Sequence, residues 1–160
     1  ATATLSSAQT AAELRSATPS FEVGTTVGAL AIFPTFGARA TVALSPRFAI
    51  EGSGEYVPWV LDDAGGQHFI LQGQLRHTFH RGDRWNWHAT YGGTFYTKVT
   101  DAAFSEQRSF RVDNAAVHLG IGAEHPISAH VAFRWDAQAA IGLTERNYPI
   151  PQGSIGITWK

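Results

Sequence analysis

The amino-acid sequence predicts an all-β protein, an eight-stranded antiparallel up-and-down barrel, and three observations point there. Apolar residues recur with period two from Phe21 to the end of the chain, as they do in strands whose two faces meet different surroundings. Tight polar connections alternate with mostly longer ones, which sets tight turns at one end of a meander and loops at the other. Charged residues make up 16% of the chain, against about 25% in average soluble domains, while glycine (16), Phe (10), Trp (5) and Tyr (4) are abundant. One domain accounts for a pattern this uniform over 160 residues.

Residues 1–20 stand apart. They are expected to form an N-terminal tail, disordered or a short helix: "AQTAAELRSA" (8–17) offers about two helical turns before Pro19, with a face that is mostly alanine. The barrel domain then covers 21–160, with strands expected at 21–33, 36–44, 48–59, 68–79, 85–99, 111–124, 129–142 and 153–160. Three connections are tight and polar: "SPR" (45–47), "HRGDR" (80–84) and "EHPIS" (124–128). The others are "PT" (34–35), "VLDDAGGQ" (60–67), "TDAAFSEQRS" (100–109) and the end of "LTERNYPIPQ" (143–152).

One parity of each strand is apolar, for example Val23 and Val27, Leu71 and Leu75, Val117, Leu119 and Ile121, Val131, Phe133 and Trp135. The opposite parity holds Gly, Ser, Thr and Gln with isolated charges. Alternation alone fits either a soluble barrel with an apolar interior or a transmembrane barrel turned the other way. The transmembrane orientation is favoured because a soluble exterior usually carries many Lys and Glu. Aromatics also gather toward strand ends, with Phe79, Trp85, Trp87 and Trp159 near the tight turns and Tyr56 and Phe95 nearer the loops, as a lipid-facing girdle requires. Trp135 falls mid-strand, outside that pattern. Most strands reach the roughly 9–11 residues that cross hydrocarbon at a tilt. No run of 18 apolar residues exists, so no transmembrane helix is expected.

With that orientation, the Arg134 and Asp136 of "HVAFRWDAQAAIG" (130–142) face the lumen. Eight strands leave an interior just wide enough for side chains, and an unpaired buried ion is costly, so these charges must neutralise one another. Register counted from the turns sets Arg39 diagonal to Glu51, Glu51 near Arg76, Arg76 facing His88, and Asp136 near both His118 and Lys160. The expected lumenal charge network is Arg39, Glu51, Arg76, His88, His118, Arg134 and Asp136, with Glu55 further toward the loops. Its expected role is structural closure without a continuous pore.

"FGARATVALSPRFAIEGSGEYVPW" (36–59) and "VHLGIGAEHPISAHVAFRWDAQAAIG" (117–142) resemble hairpins of the small outer-membrane β-barrels, the family of the outer membrane protein A transmembrane domain and outer membrane protein X. The resemblance spans 21–160 and lies in a Gly-x-Arg opening, a Ser-Pro-Arg turn, an Ala-x-Glu strand, and a Gly-x-Gly-x-Glu strand leading into Val-Ala-x-Arg. It implies a bacterial outer membrane of the Gram-negative type; separately, the start "ATATLSS", with neither an initiator methionine nor an apolar run, fits a chain whose signal peptide has been cleaved, or one simply trimmed. The resemblance further implies lipopolysaccharide or phospholipid as surroundings, insertion by the outer-membrane assembly machinery, and a monomer. The last strand, "GSIGITWK", resembles the family's C-terminal assembly signal at Ser154, Gly156 and Trp159; its final apolar position would be residue 161, so either the natural chain continues or recognition is weaker.

Function classes narrow accordingly. A net charge of −1 with no Lys/Arg cluster excludes a nucleic-acid binder. There is no cysteine, hence no disulfide framework or thiolate site. No His-x-His pair occurs, and His77 and His80 are expected on opposite faces, so neither a metal site nor a cofactor is expected. Some barrels of the resembling family modify lipid A with Ser, His and an acidic residue. Glu124, His125 and Ser128 are such a set, but on a tight turn rather than a wall near acyl chains, and no catalysis is expected. The loops offer Phe104, Arg108 and Phe110, and Arg146 and Tyr148, as contacts for a ligand, partner or lipid phosphate, or simply as polar caps. The expected function is structural or surface interaction; the alternatives are a lipid-modifying barrel enzyme and a soluble carrier of an apolar ligand.

Overall fold

The computed structural model describes residues 20–58, 67–101, 108–143 and 149–160, with side chains at all of these except 67, 98–101 and 108–114. Eight strands, β1 (Phe21–Leu30), β2 (Phe33–Ala43), β3 (Phe48–Val57), β4 (Gln67–Arg81), β5 (Asn86–Asp101), β6 (Arg108–Pro126), β7 (Val131–Gly142) and β8 (Pro149–Trp159), pair antiparallel in sequence order. The pairing of β1 with β8 closes the barrel. Closure removes both sheet edges, so every strand has a partner on each side.

Two of the tight turns share one construction. Ser45 Oγ accepts the N–H groups of Arg47 and Phe48 at 3.3 and 3.1 Å. Ser128 Oγ accepts those of His130 and Val131 at 3.2 and 3.1 Å. In each, the serine N–H and that of the residue before it converge on one carbonyl, Phe48 or Val131. A serine that satisfies the backbone locally explains why "LSPRF" and "ISAHV" both reverse the chain.

Several boundaries differ from the sequence reading, and proline accounts for two of them. The first connection is Ala31–Ile32 rather than Pro34–Thr35, and Ala31 takes the left-handed conformation (φ 54°) that a two-residue hairpin turn favours. Pro34 lies inside β2 opposite Ala29, where β3 has already stopped pairing at Phe36↔Tyr56, so it interrupts no ladder on that side. Likewise β8 begins at Pro149 instead of 153, and both Pro149 and Pro151 lie beyond the last β1 pair, Leu30↔Gln152. Strands β4, β5 and β6 run 15, 16 and 19 residues and make one side of the wall taller. A bulge between Thr78 and His80 leaves Phe79 as the extra residue. It also moves His80 into register with outward-facing Trp87, so His77 and His80 stand at outward positions together rather than on opposite faces.

Burial is inverted relative to a soluble protein. Glu22, Arg39, Thr41, Glu51, Gln74, His88, His118, Arg134 and Asp136 are buried, whereas among the buried apolar residues described only Val57 and Ile70 are larger than alanine. Leu119 (65% exposed), Ile155 (54%) and Ile50 (53%) stand on the outside. Large exposed apolar surfaces mark places that meet a partner or lipid rather than water.

Candidate functional site

The lumen is layered along the barrel axis, and each layer follows from which inward positions the register brings level. Nearest the turns, Arg76 of β4 reaches Glu22 of β1 at 3.3 Å and Glu124 of β6 at 3.5 Å. Lys160 closes the same group, 2.8 Å from Glu124 and 3.7 Å from Glu22. Two cations face two carboxylates, so the layer is neutral.

The second layer is neutral as well. Arg134 Nη2 donates to Glu51 Oε1 at 3.1 Å and to Asp136 Oδ1 at 2.9 Å, and its Nη1 donates to the other Glu51 oxygen. Arg39 Nη1 donates to Asp136 Oδ2 at 2.7 Å and lies 3.8 Å from Glu51. The His88 ring meets Asp136 Oδ1 at 2.8 Å, and Thr41 Oγ1 donates to Glu51 at 3.0 Å. Each buried charge thus has both a counter-ion and further hydrogen-bonding partners, the condition under which a buried ion is tolerated.

Toward the loops the charges give way to amides. Gln74 donates to Glu51, and its carbonyl oxygen accepts from Gln138 at 3.2 Å. The same oxygen faces His118 Nε2 at 2.8 Å; an amide oxygen only accepts, so Nε2 carries the proton and Nδ1 accepts from the Thr94 hydroxyl at 2.7 Å. Gln72 donates to Gln138 at 3.3 Å and to Gln152 at 2.8 Å, and Gln152 donates to Tyr96 Oη at 3.1 Å. Ile70 and Val57 are buried nearer the loops. A void of about 20 Å³ lies beside the glutamines, room for one water. A cavity of about 390 Å³ opens at the turn end.

Five residues of the expected network, Arg39, Glu51, His88, Arg134 and Asp136, meet in the second layer. Others pair differently. Arg76 joins Glu22 and Glu124 rather than Glu51 or His88. Asp136 meets neither His118 nor Lys160, because in register it lies opposite Gly122 and Ser154; His118 belongs to the amide layer and Lys160 to the first ionic layer. Glu55 is half-buried and among the described residues joins neither cluster. Glu22 and the glutamine layer were not singled out from sequence, and Glu124 was weighed only with His125 and Ser128 on the turn, not as a lumenal ion. Their signal was present in the inward parity of Glu22, Gln72, Gln74 and Gln138, but polar uncharged side chains stand out poorly among the Thr and Ser around them.

The outer wall carries a second cluster. Trp87 and Trp135 flank Ala123 in register, and their indoles meet edge-on over it at 5.6 Å, leaving Ala123 0% exposed. One tier closer to the turns, Trp85 lies 5.1 Å from the His125 ring and 6.4 Å from that of Phe133. Trp135 therefore stands level with the turn-end aromatics, not mid-wall as its place in the sequence suggested. Phe79 and Trp159 are exposed at the same end. At the loop end, Tyr56 packs on Phe69 at 5.4 Å and Phe95 is exposed opposite Leu71.

Glu124, His125 and Ser128 do not converge. Glu124 faces Lys160 in the lumen, His125 stacks outside on Trp85, and Ser128 Oγ serves its own turn. Among the described residues, no group of three or more His, Asp and Glu is arranged to hold a metal ion. Of the loop candidates, Phe104, Arg146 and Tyr148 lie outside the described residues, as do the side chains of Arg108 and Phe110.

No family model and no curated protein matches the sequence. Solved structures do match. The N-terminal β-barrel domain of Pseudomonas aeruginosa OprF is 11% identical with a TM-score of 0.68, covering 87% of this chain and 95% of that one. Neisserial surface protein A is 12% identical with a TM-score of 0.55, covering 88% and 94%. Ail, the attachment invasion locus protein of Yersinia pestis, is 8% identical with a TM-score of 0.53, covering 87% and 94%. At such identities the likeness is one of fold, and the fold of this chain is that of the small eight-stranded outer-membrane β-barrels.

Proposed function

We propose that this chain is an integral, monomeric barrel of a bacterial outer membrane, surrounded by lipopolysaccharide or phospholipid and inserted by the outer-membrane assembly machinery. Its lumen is closed and its role is structural or surface-interacting rather than catalytic. The observation that carries this is sidedness: two neutral ion clusters and a glutamine layer occupy the axis, while Leu119, Ile155, Ile50 and the Trp87–Trp135 pair coat the exterior. Water would penalise that exterior and lipid would not. Closure is supported by Arg134 and Glu51 meeting from opposite sides of the barrel, and by the narrow void beside Gln72. The loops joining β3 to β4, β5 to β6 and β7 to β8 would carry any surface contact, Phe104, Arg108, Phe110, Arg146 and Tyr148 among them.

The test is refolding into phosphatidylcholine vesicles. The folded protein should migrate faster than boiled protein on a gel only after folding in lipid or detergent, and should add no stepwise conductance to a planar bilayer. A folded monomer in detergent-free buffer would instead support a soluble carrier. Altered lipid A acylation in cells making the protein, read by mass spectrometry, would support the enzyme reading.

A further inference from the structure

We propose that the cavity at the turn end of the barrel binds a small oxyanion, a phosphate or carboxylate carried by a soluble molecule. Its volume, about 390 Å³, accommodates a ligand of several heavy atoms. Arg47, Arg76, Arg81 and Lys160 line it against only Glu22 and Glu124. The two carboxylates are already engaged, each by Arg76 and Lys160. Two positive charges are left over, and they belong to the rim.

Both rim arginines are exposed, and backbone contacts fix the turn beside which they stand. Arg47 sits in the turn between β2 and β3, and its carbonyl accepts the Thr78 N–H at 2.8 Å, which ties that turn to β4. Arg81, at the end of β4, donates from Nη2 to the Pro46 carbonyl and so brings its guanidinium toward the same turn. Among the described residues, neither arginine forms an ion pair. An oxyanion lodged among Arg47, Arg81 and Lys160 gains charge-assisted hydrogen bonds without displacing the Arg76 pairs beneath it. A soluble ligand fits better than a lipid headgroup because Glu22, Ala49, Arg76, His88 and Glu124 line the cavity from inside the ring of strands, where acyl chains do not pass. Arg84, in the neighbouring turn, is exposed and outside the lining, and it serves as a control.

The experiment uses the full chain folded in an uncharged maltoside micelle, titrated with inorganic phosphate and, separately, citrate while backbone amide shifts are recorded. Saturable shifts are expected around residues 44–48, 81, 86 and 160, with the loop end unmoved. Arg47→Gln with Arg81→Gln should weaken binding about tenfold or more, as loss of charge-assisted bonds does, whereas Arg84→Gln should change it by less than about twofold. If the double variant does not fold, Arg47→Gln alone, an exposed substitution, carries the same comparison. Absence of saturation overturns the proposal. Equal weakening by Arg84→Gln also overturns it, since only diffuse attraction would then remain. Shifts that appear only in nanodiscs containing phosphatidylglycerol would assign the site to a headgroup and overturn the soluble ligand. Because the titration needs only a folded barrel, its failure is distinct from failure of the membrane assignment.

Discussion

Arg134 and Glu51 meet across the full width of the barrel, from β7 and β3 on opposite sides, with both guanidinium Nη atoms on both carboxylate oxygens. Arg134 is 0% exposed and also holds Asp136 on its own strand. The contact is a bidentate strut in a place where water cannot compensate its loss. Arg134→Met leaves two carboxylates with Arg39 as their remaining cation, and should cost about 3–5 kcal/mol. Arg134→Met combined with Glu51→Gln removes one charge of each sign and should recover part of that. Urea-driven unfolding from vesicles reads both; a single variant as stable as the parent would show that the strut carries no stability.

Trp87 and Trp135 touch only because the residue between them is alanine. Edge-to-face aromatic pairs contribute roughly 0.5–1.5 kcal/mol beyond the area they bury. A double-mutant cycle of Trp87→Leu and Trp135→Leu should show coupling of that size, and Ala123→Leu should abolish it by parting the rings. Strictly additive effects would mean that each indole interacts with lipid alone.

The two faces of the wall were legible in the sequence because, among the described residues, inward and outward positions alternate along each strand apart from two bulges. Which inward charges touch was much less so. Register read from a turn orders neighbouring strands, and it set Arg39 diagonal to Glu51. Arg39 with Asp136, or Arg76 with Glu22, instead bridge strands that do not pair, and strand tilt in the closed barrel decides their heights. The bulge at Phe79 had no glycine or proline to announce it. Pro149 and Pro151 announced a loop, yet lie in a strand where β1 has already ended.

Glycines divide into two kinds that a substitution can separate. A Cβ on Gly122 would lie 2.5 Å from Asp136 Oδ1, 2.5 Å from the Trp135 carbonyl and 2.6 Å from His88 Nε2. A Cβ on outward Gly73 meets nothing within 4 Å. Gly122→Ala should therefore cost about 1–3 kcal/mol through overpacking against the second ionic layer. Gly73→Ala should be neutral or stabilise by up to about 1 kcal/mol, since glycine weakens a strand interior. Equal responses in a denaturant series would mean that the His88–Asp136 contact is slack enough to yield.

Leu119 gives the sharpest test of sidedness. It faces outward one step nearer the loops than Ile121 and four residues along β6 from Ala123, clear of the Trp87–Trp135 pair. In a bilayer, an arginine on the lipid face near mid-depth costs about 2–4 kcal/mol, falling to about 0–1 kcal/mol near the interfaces. Leu119→Arg should therefore destabilise the barrel by the larger amount in phosphatidylcholine vesicles, and Ile127→Arg, in the turn before β7, by the smaller one. In water both positions are simply exposed, at 65% and 59%, and neither substitution would cost much. The difference between the two variants, measured by unfolding from the same vesicles, thus reports the depth of the wall directly: a gap of 1 kcal/mol or more, roughly, places Leu119 in hydrocarbon, and no gap puts it in water.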